Sequence, residues 1–146
     1  MLTFTVSNNQ TMEITIKKEI SFEMVENIVV TAIEGGSNYW YFLDLDKATN
    51  MPSREQNGEI VPLSIRIAQG VFNDPDFRLP VFDLESQDDE EMEELGVLSR
   101  ESMANGIKLA MSQYPLVWGN LESEDFDAND ADILFQLAVM GDVVFG

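Results

Sequence analysis

The sequence predicts an α+β fold, in which a small, mostly antiparallel sheet packs against three or four helices. Short stretches near the N-terminus alternate apolar and polar residues, as half-buried strands do, whereas longer stretches place apolar residues at helical spacing. Hydrophobic residues make up 45% of the 146 residues, so the chain can bury a core despite a net charge of −19. We therefore expect one domain spanning residues 1–146.

The chain begins with two predicted strands. Leu2–Val6 and Ile14–Lys17 alternate apolar with polar residues, and the intervening Ser7–Gln10 is rich in turn-forming residues, which predicts a hairpin. The first strand has no basic flank, so it does not resemble a signal peptide. No apolar run approaches the roughly 20 residues that span a bilayer. We expect a cytoplasmic protein without a membrane partner.

The first predicted helix starts at Ser21, a favourable N-cap, with Glu23 in the first turn where it meets the positive end of the helix dipole. Gly35 or Gly36 is predicted to end the helix in the left-handed conformation. The apolar residues at helical spacing are Phe22, Val25, Ile28, Val29, Ala32 and Ile33.

An aromatic segment follows, which we predict to be extended, with Tyr39 and Tyr41 on one side and Trp40 and Phe42 on the other. Residues 44–57 are polar and predict a loop, and Ile60-Val61 predicts a short strand. The remaining predictions for this region are a short helix from Pro62 through Ala68 ended by Gly70, a turn at 73–76, and an edge strand at 79–83 that contains Pro80.

The C-terminal part is predicted to hold two helices after an acidic loop or insertion around residues 83–96. Ser99 caps the first of them, with Met103, Ile107, Ala110 and Met111 on one face, and Tyr114-Pro115 ends it. The second begins near Asp127 or Asp130, runs to Met140 and is broken by Gly141; its apolar character on most sides predicts deep burial.

Two residue types are missing, and their absence excludes several kinds of site. Without Cys or His the chain can form no disulfide, no Cys-ligated zinc site, no histidine-based triad and no two-histidine iron site. We expect no cofactor. Residues 71–146 carry 18 acids and 3 bases, and residues 1–70 carry 9 acids and 5 bases. A field of that sign repels phosphates and disfavours direct nucleic-acid binding.

Two sequence blocks carry a resemblance. The block Glu34-Gly35-Gly36-Ser37-Asn38-Tyr39-Trp40, together with the closing segment from Asp130 to Gly146, resembles a group of small uncharacterised phage and prophage proteins. The resemblance implies a phage or prophage origin and action in a bacterial cytoplasm. It implies no catalytic residue.

The glycine–aromatic block is the first candidate binding site. In a functional interpretation, backbone amides at its start form a concavity for an anion, and an aromatic ring offers a flat face to a base or peptide side chain. In the simpler interpretation, which we favour, the glycines cap a helix and the aromatics fill the core. The candidate residues are Gly35, Gly36, Ser37, Asn38, Tyr39, Trp40 and Tyr41.

The second candidate is an acidic segment, residues 83–94, in which eight of twelve residues are carboxylates. A rigid row of carboxylates can imitate the phosphates of DNA toward a DNA-binding protein. Blocks of like charge more often form a self-repelling loop that confers solubility, and we favour that interpretation. The acids are Asp83, Glu85, Asp88, Asp89, Glu90, Glu91, Glu93 and Glu94.

Possible cation sites are the third candidate. Asp44, Asp46 and Glu55 have part of the spacing of a calcium-binding helix–loop–helix, but Thr49 stands where that loop needs glycine. A denser run of oxygen ligands, with Asp125, Asp127 and Asp130 as the metal candidates, also lacks the glycine. Acids before a helix are more simply caps, the interpretation that we favour.

We therefore predict a small acidic binding protein that acts by contact with a basic protein partner. It would be an inhibitor or nucleic-acid mimic against a host defence or nucleic-acid-handling protein. Two alternatives stay open. One is a phage accessory protein that binds a nucleotide or small molecule near Gly35–Trp40, and the other is a metal-dependent hydrolase that uses Asp and Glu. Nothing in the sequence indicates a catalytic residue.

Overall fold

The computed structural model describes residues 2–7 and 11–146 and confirms the α+β fold. Its described residues contain five α-helices, one more than the upper predicted number, a three-stranded antiparallel sheet and two short hairpins. The helices are α1 (Phe22–Thr31), α2 (Leu63–Asn73), α3 (Arg100–Gln113), α4 (Pro115–Glu122) and α5 (Ala128–Met140). The strands are β1 (Leu2–Ser7), β2 (Thr11–Ile16), β3 (Tyr41–Leu43), β4 (Glu55–Gln56), β5 (Glu59–Ile60), β6 (Leu79–Asp83) and β7 (Glu94–Leu98).

The N-terminal hairpin is confirmed, since β1 and β2 pair antiparallel with Leu2 opposite Ile16 and Ser7 opposite Thr11. The predicted turn extends over residues 8–10, which lie outside the described part. Every residue of β2 is exposed, including Met12 and Ile14.

The first helix begins as predicted and ends differently. Ser21 Oγ accepts the amide of Met24 at 3.2 Å, and Val25, Ile28 and Val29 are buried. The predicted left-handed C-cap is wrong: the chain leaves α1 through a π-helical turn, Ala32–Gly36, in which Gly35 has an extended φ of 176°. Position 36 instead requires glycine because it has no room for a side chain: a Cβ there would lie 2.7 Å from the carbonyl oxygen of Ala128.

The three-stranded sheet has the order β3-β6-β7, so the prediction that Leu79–Asp83 is an edge strand is wrong. Proline is tolerated in this central strand because β3 pairs only with residues 81–83 and does not reach Pro80. Leu79 and Val81 face the core, while Phe82 stacks on Phe42 of β3 with ring centroids 5.4 Å apart.

The predicted helix after Pro62 is confirmed, but its end is wrong. α2 continues through Gly70 to Asn73, and the buried ring of Phe77 packs where a Cβ of Gly70 would stand. The glycine therefore provides close packing and not a helix stop. The predicted turn at residues 73–76 is present one residue later, where the amide of Phe77 donates to the carbonyl of Asp74 at 3.1 Å, and it leads into β6.

The C-terminal half contains the helices that form most of the core. α3 has the predicted cap, with a capping box between Ser99 and Ser102, and Pro115 then starts α4, a helix that the sequence interpretation missed. α5 is capped by Asp127 and ends at Gly141, whose φ of 76° is left-handed. As predicted, α5 is deeply buried, from Leu134 to Val139 without interruption.

Close backbone approaches join α5 to its neighbours. At Gly106 of α3 an added Cβ would lie 2.6 Å from the backbone of Ala138, and at Gly96 of β7 it would overlap the carbonyl of Val139. The sheet and α3 therefore pack on α5 through glycines, and one hydrophobic core extends from α1 to α5. None of the helices within residues 2–7 and 11–146 has the length and apolar character needed to cross a membrane.

Candidate functional site

The glycine–aromatic block folds around the carboxylate of Asp132, in the second turn of α5. Ser37 Oγ and Trp40 Nε1 both donate to Asp132 Oδ1 at 2.8 Å, and the Tyr39 hydroxyl donates to Oδ2 at 2.5 Å. Three donors from four consecutive positions thus converge on one acid, an arrangement that we call the Asp132 cluster. Hydrogen bonds to a charged group are stronger than neutral ones, so the cluster fixes the block on α5.

The backbone before the cluster is used internally. The amide of Ser37 donates to the carbonyl of Ala32 at 3.0 Å, and the amide of Trp40 donates to the carbonyl of Ser37 at 3.2 Å. Ser37 is fully buried, and Gly36 is packed against Ala128. The amide of Ser37, one of the three amides at Gly35, Gly36 and Ser37 predicted to form the anion concavity, is therefore already occupied.

The aromatic residues do not alternate across a strand as predicted, because Asn38–Trp40 form a turn and β3 begins only at Tyr41. Both Trp40 and Tyr41 are buried, and both rings lie against Phe135 of α5, with centroids 5.8 and 5.5 Å away. Trp40 also stacks on Phe145, with an interplanar angle of 10°.

The closing segment is held by Gln136, which is fully buried. Its Oε1 accepts the amides of Val144 and Phe145 at 2.8 and 2.9 Å, and its Nε2 donates to the carbonyl of Phe145 at 3.1 Å. The last residues therefore return to cover Trp40. The glycine–aromatic block and the closing segment are thus in contact with each other.

Only part of the predicted binding block is accessible. Gly35, Asn38 and Tyr39 are exposed, whereas Ser37, Trp40 and Tyr41 are buried. Although the Tyr39 side chain is 48% exposed, partial desolvation of its hydroxyl, and then the hydrogen bond to and the charge of Asp132, raise its pKa from 10.0 to about 12. The negative charge of Asp132 disfavours an anion at this place. The geometry supports the core interpretation of this block.

The acidic segment connects β6 to β7, and we call residues 83–94 the acidic hairpin. Asp83 accepts the amide of Glu85 at 3.0 Å and starts a short 3₁₀ turn, Leu84–Ser86. The buried Ser86 then bridges the hairpin, because its hydroxyl donates to the carbonyl of Asp83 at 2.7 Å and accepts the amide of Glu93 at 2.9 Å. The exposed acids are Glu85, Asp88, Asp89, Glu90, Glu91, Glu93 and Glu94.

Two of the three metal candidates near the start of α5 have structural roles. Asp127 and Asp130 form a capping box, and Asp130 Oδ2 also accepts the side-chain amide of Asn120 at 3.0 Å. Asp125 is exposed. Asp44 likewise accepts the amide of Asp46, at 3.2 Å. In the part of the chain that the structure describes, no three carboxylates converge as a metal site requires.

Sequence interpretation placed Asp132 only in the run of oxygen ligands considered as a cation site, and it did not single out Ser86. Asp132 is one of several acids in its neighbourhood, and its partners lie 92 to 95 residues away, so no local pattern reveals its role. Ser86 follows a predicted strand in a segment dominated by acids. Its position three residues after Asp83 is compatible with a turn bridge, which is the one local signal available.

In comparisons with known proteins, no family model, no curated protein and no solved structure matches this chain.

Proposed function

We propose that this chain is a small acidic binding protein of phage or prophage origin, which acts in the bacterial host cytoplasm by contact with a protein partner. The acidic hairpin is the contact surface and occupies a basic, nucleic-acid-binding surface of the partner. In this way the protein inhibits a host defence or nucleic-acid-handling protein by imitating nucleic acid.

The observation that carries the proposal is the way in which Ser86 holds the acidic hairpin. A row of carboxylates imitates phosphates only if its backbone is restrained, because a free loop loses conformational entropy on binding. The bonds from Ser86 to Asp83 and Glu93 connect the two ends of the segment and provide such a restraint. Seven of its eight acids are exposed.

The charge balance of the surface supports the same function. Lys18–Glu122 is the single ion pair among the described residues, so the carboxylates of the acidic hairpin have no basic side chain within ion-pair distance there. Unpaired carboxylates on a surface give a negative potential that steers a basic partner toward it.

The alternatives lack an observation in their favour. For a nucleotide or small-molecule site near Gly35–Trp40, the side chains needed for recognition are bonded to Asp132 or buried against Phe135. For a metal-dependent hydrolase, Asp127 and Asp130 are engaged in capping α5.

The test compares two variants that remove equal charge. The acidic-hairpin variant has Asn or Gln in place of five acids of that segment: Asp88, Asp89, Glu90, Glu91 and Glu93. The second variant has the same replacements at five exposed acids elsewhere: Glu13, Glu55, Glu59, Asp76 and Asp125. Each is immobilised and exposed to bacterial lysate at low salt. We expect the second variant to retain a captured DNA-binding protein, duplex DNA to displace that protein, and the acidic-hairpin variant to lose it.

Salt provides the second measurement, because binding through charges weakens as ionic strength rises. Equal capture by both variants, or a captured protein that duplex DNA does not displace, would contradict the proposed function.

A further inference from the structure

A cleft of about 640 Å³ lies between α1 and α4, separate from the acidic hairpin. Its volume falls in the range of roughly 300–1,000 Å³ that is typical of ligand sites. Apolar side chains that are buried or half-buried form its floor: Met24, Val30, Ile65, Trp118 and Leu121.

The rim of this cleft is acidic. Five glutamates and one lysine line it, and all of these except the half-buried Glu26 are exposed. The rim therefore carries four net negative charges around an apolar floor. The glutamates are Glu19, Glu23, Glu26, Glu122 and Glu124.

The rim already pairs one of its glutamates with a cationic side chain, that of Lys18. Lys18 Nζ lies 3.2 Å from Glu122 Oε2, and the two side chains are 41% and 43% exposed. Exposed ion pairs of this kind contribute little to stability, so an incoming cation can replace Lys18 at small cost.

We propose that this cleft binds a short basic segment of a protein partner, in which a Lys or Arg stands beside apolar side chains. The cation takes the place of Lys18 on Glu122 and is attracted by the neighbouring glutamates, while the apolar side chains cover Met24 and Leu121. The indole of Trp118 offers a face to the cation or to its aliphatic stem. The inference goes beyond the proposed function, because it concerns another surface and does not depend on the acidic hairpin.

The combination of rim and floor selects this ligand. An acidic rim alone attracts any cation, and an apolar floor alone takes any apolar group. A segment that alternates Leu with Lys or Arg satisfies both, and it gains from desolvation as well as from charge. Nucleic acid and anionic lipid are repelled by the same glutamates.

The experiment uses the full chain and a synthetic peptide, Leu-Lys-Leu-Arg-Leu, acetylated and amidated at its ends. Tryptophan fluorescence reports binding, because Trp118 lines the cleft whereas Trp40 is only 2% exposed. We expect a saturable fluorescence change with a Kd below about 1 mM at low salt. The peptide Leu-Gln-Leu-Gln-Leu and the polyamine spermidine should each bind at least about tenfold more weakly, which corresponds to about 1.4 kcal/mol.

Matched variants locate the binding. The triple variant Glu23→Gln/Glu26→Gln/Glu122→Gln should weaken peptide binding at least about tenfold, whereas Glu90→Gln/Glu91→Gln/Glu93→Gln, with the same change in charge, should alter the Kd less than about twofold. Lys18→Met should tighten binding, because it removes the internal competitor for Glu122. Circular dichroism checks that each variant is folded. If the triple variant does not fold, the peptide affinity of the single variant Glu122→Gln is measured in its place.

Four outcomes would overturn the inference: no saturable change with the basic peptide, equal weakening by the two triple variants, equal binding of the Gln peptide, or spermidine binding as tightly as the peptide. The last would assign the cleft to a free polyamine. None of these results bears on capture by the acidic hairpin, so failure here and failure of the proposed function are distinguishable.

Discussion

The indole N–H of Trp40 donates a hydrogen bond to Asp132 Oδ1 at 2.8 Å, which connects residues 92 positions apart. Ser37 shares the same oxygen, also at 2.8 Å. This carboxylate is the point at which the turn after α1 is fixed to α5. The aromatic rings that follow are then aligned on Phe135 and Phe145.

Replacing Asp132 by Ala should destabilise the fold by about 2–3 kcal/mol, because Ser37 and Trp40 lose the charged acceptor of their hydrogen bonds in a partly buried place. Urea unfolding measures the change. Asp125→Ala is the matched control, since it removes an exposed carboxylate and reports the relief of charge repulsion alone. Equal stability of the two variants would show that the Asp132 cluster contributes nothing.

Stability should fall as pH rises from 10 to about 12. Partial desolvation of its hydroxyl and then Asp132 raise the pKa of Tyr39 from 10.0 to about 12, and burial raises the pKa of Tyr41 to about 12 as well. The folded protein therefore holds these protons where the unfolded chain has released them. The stabilisation is complete below pH 10, and it is lost as the pH rises through the pKa of these tyrosines in the folded state.

Melting temperatures across this pH range measure the effect, and Tyr41→Phe, which keeps the ring and removes the titrating hydroxyl, should flatten the dependence. An unchanged slope in that variant would contradict the role of Tyr41.

Local signals predicted the ends of helices well where a short-range bond determines them. Ser21, Ser99 and Asp127 cap their helices through amides three residues ahead, and Gly141 ends α5 in the left-handed conformation. In each case the atoms involved lie within one turn, so the residue type and its neighbours carry the information.

The errors arose where distant residues decide the conformation. Gly36 and Gly70 resemble helix stops, but each is small because Ala128 or Phe77 packs against it. Pro80 suggests an edge strand, yet the shortness of β3 lets it stand in the middle of the sheet. For the same reason the Asp132 cluster could not be predicted, since nothing near Ser37 or Trp40 in the sequence marks the acid that they bind.

Gly106→Ala should destabilise the protein by about 1–3 kcal/mol, because the new methyl group would lie 2.6 Å from the backbone of Ala138 where α3 crosses α5. Gly119→Ala is the matched control in α4, where nothing lies within 4 Å of an added Cβ. There the higher helix propensity of Ala should stabilise by about 0.5–1 kcal/mol. Both changes are measured by urea unfolding, and a stabilising Gly106→Ala would mean that the two helices can separate without loss.

Ser86→Ala should loosen the acidic hairpin, because the amide of Glu93 then loses the buried hydroxyl that accepts its hydrogen bond. We expect a loss of about 1–2 kcal/mol in stability and faster hydrogen exchange at that amide. Ser112→Ala is the control, since its hydroxyl bonds only to carbonyls of its own helix at an exposed position. Under the proposed function, Ser86→Ala should also weaken capture of the partner although the charge is unchanged. Unchanged capture by a loosened hairpin would show that restraint of the carboxylates is not needed.

Moderate salt should stabilise this fold. The net charge is −19, and one ion pair, Lys18–Glu122, is present among the described residues, so repulsion between carboxylates outweighs attraction over most of the surface. Raising the ionic strength from about 0.01 M to about 0.15 M shortens the screening length from roughly 30 Å to roughly 8 Å. The melting temperature should therefore rise with sodium chloride.

The variant with five neutralised acids in the acidic hairpin should melt higher at low salt and respond less to added salt, because it begins with less repulsion to screen. A melting temperature that does not change with salt would mean that the carboxylates are too far apart to destabilise the fold, and a salt response equal in the two proteins would place the repulsion outside the acidic hairpin.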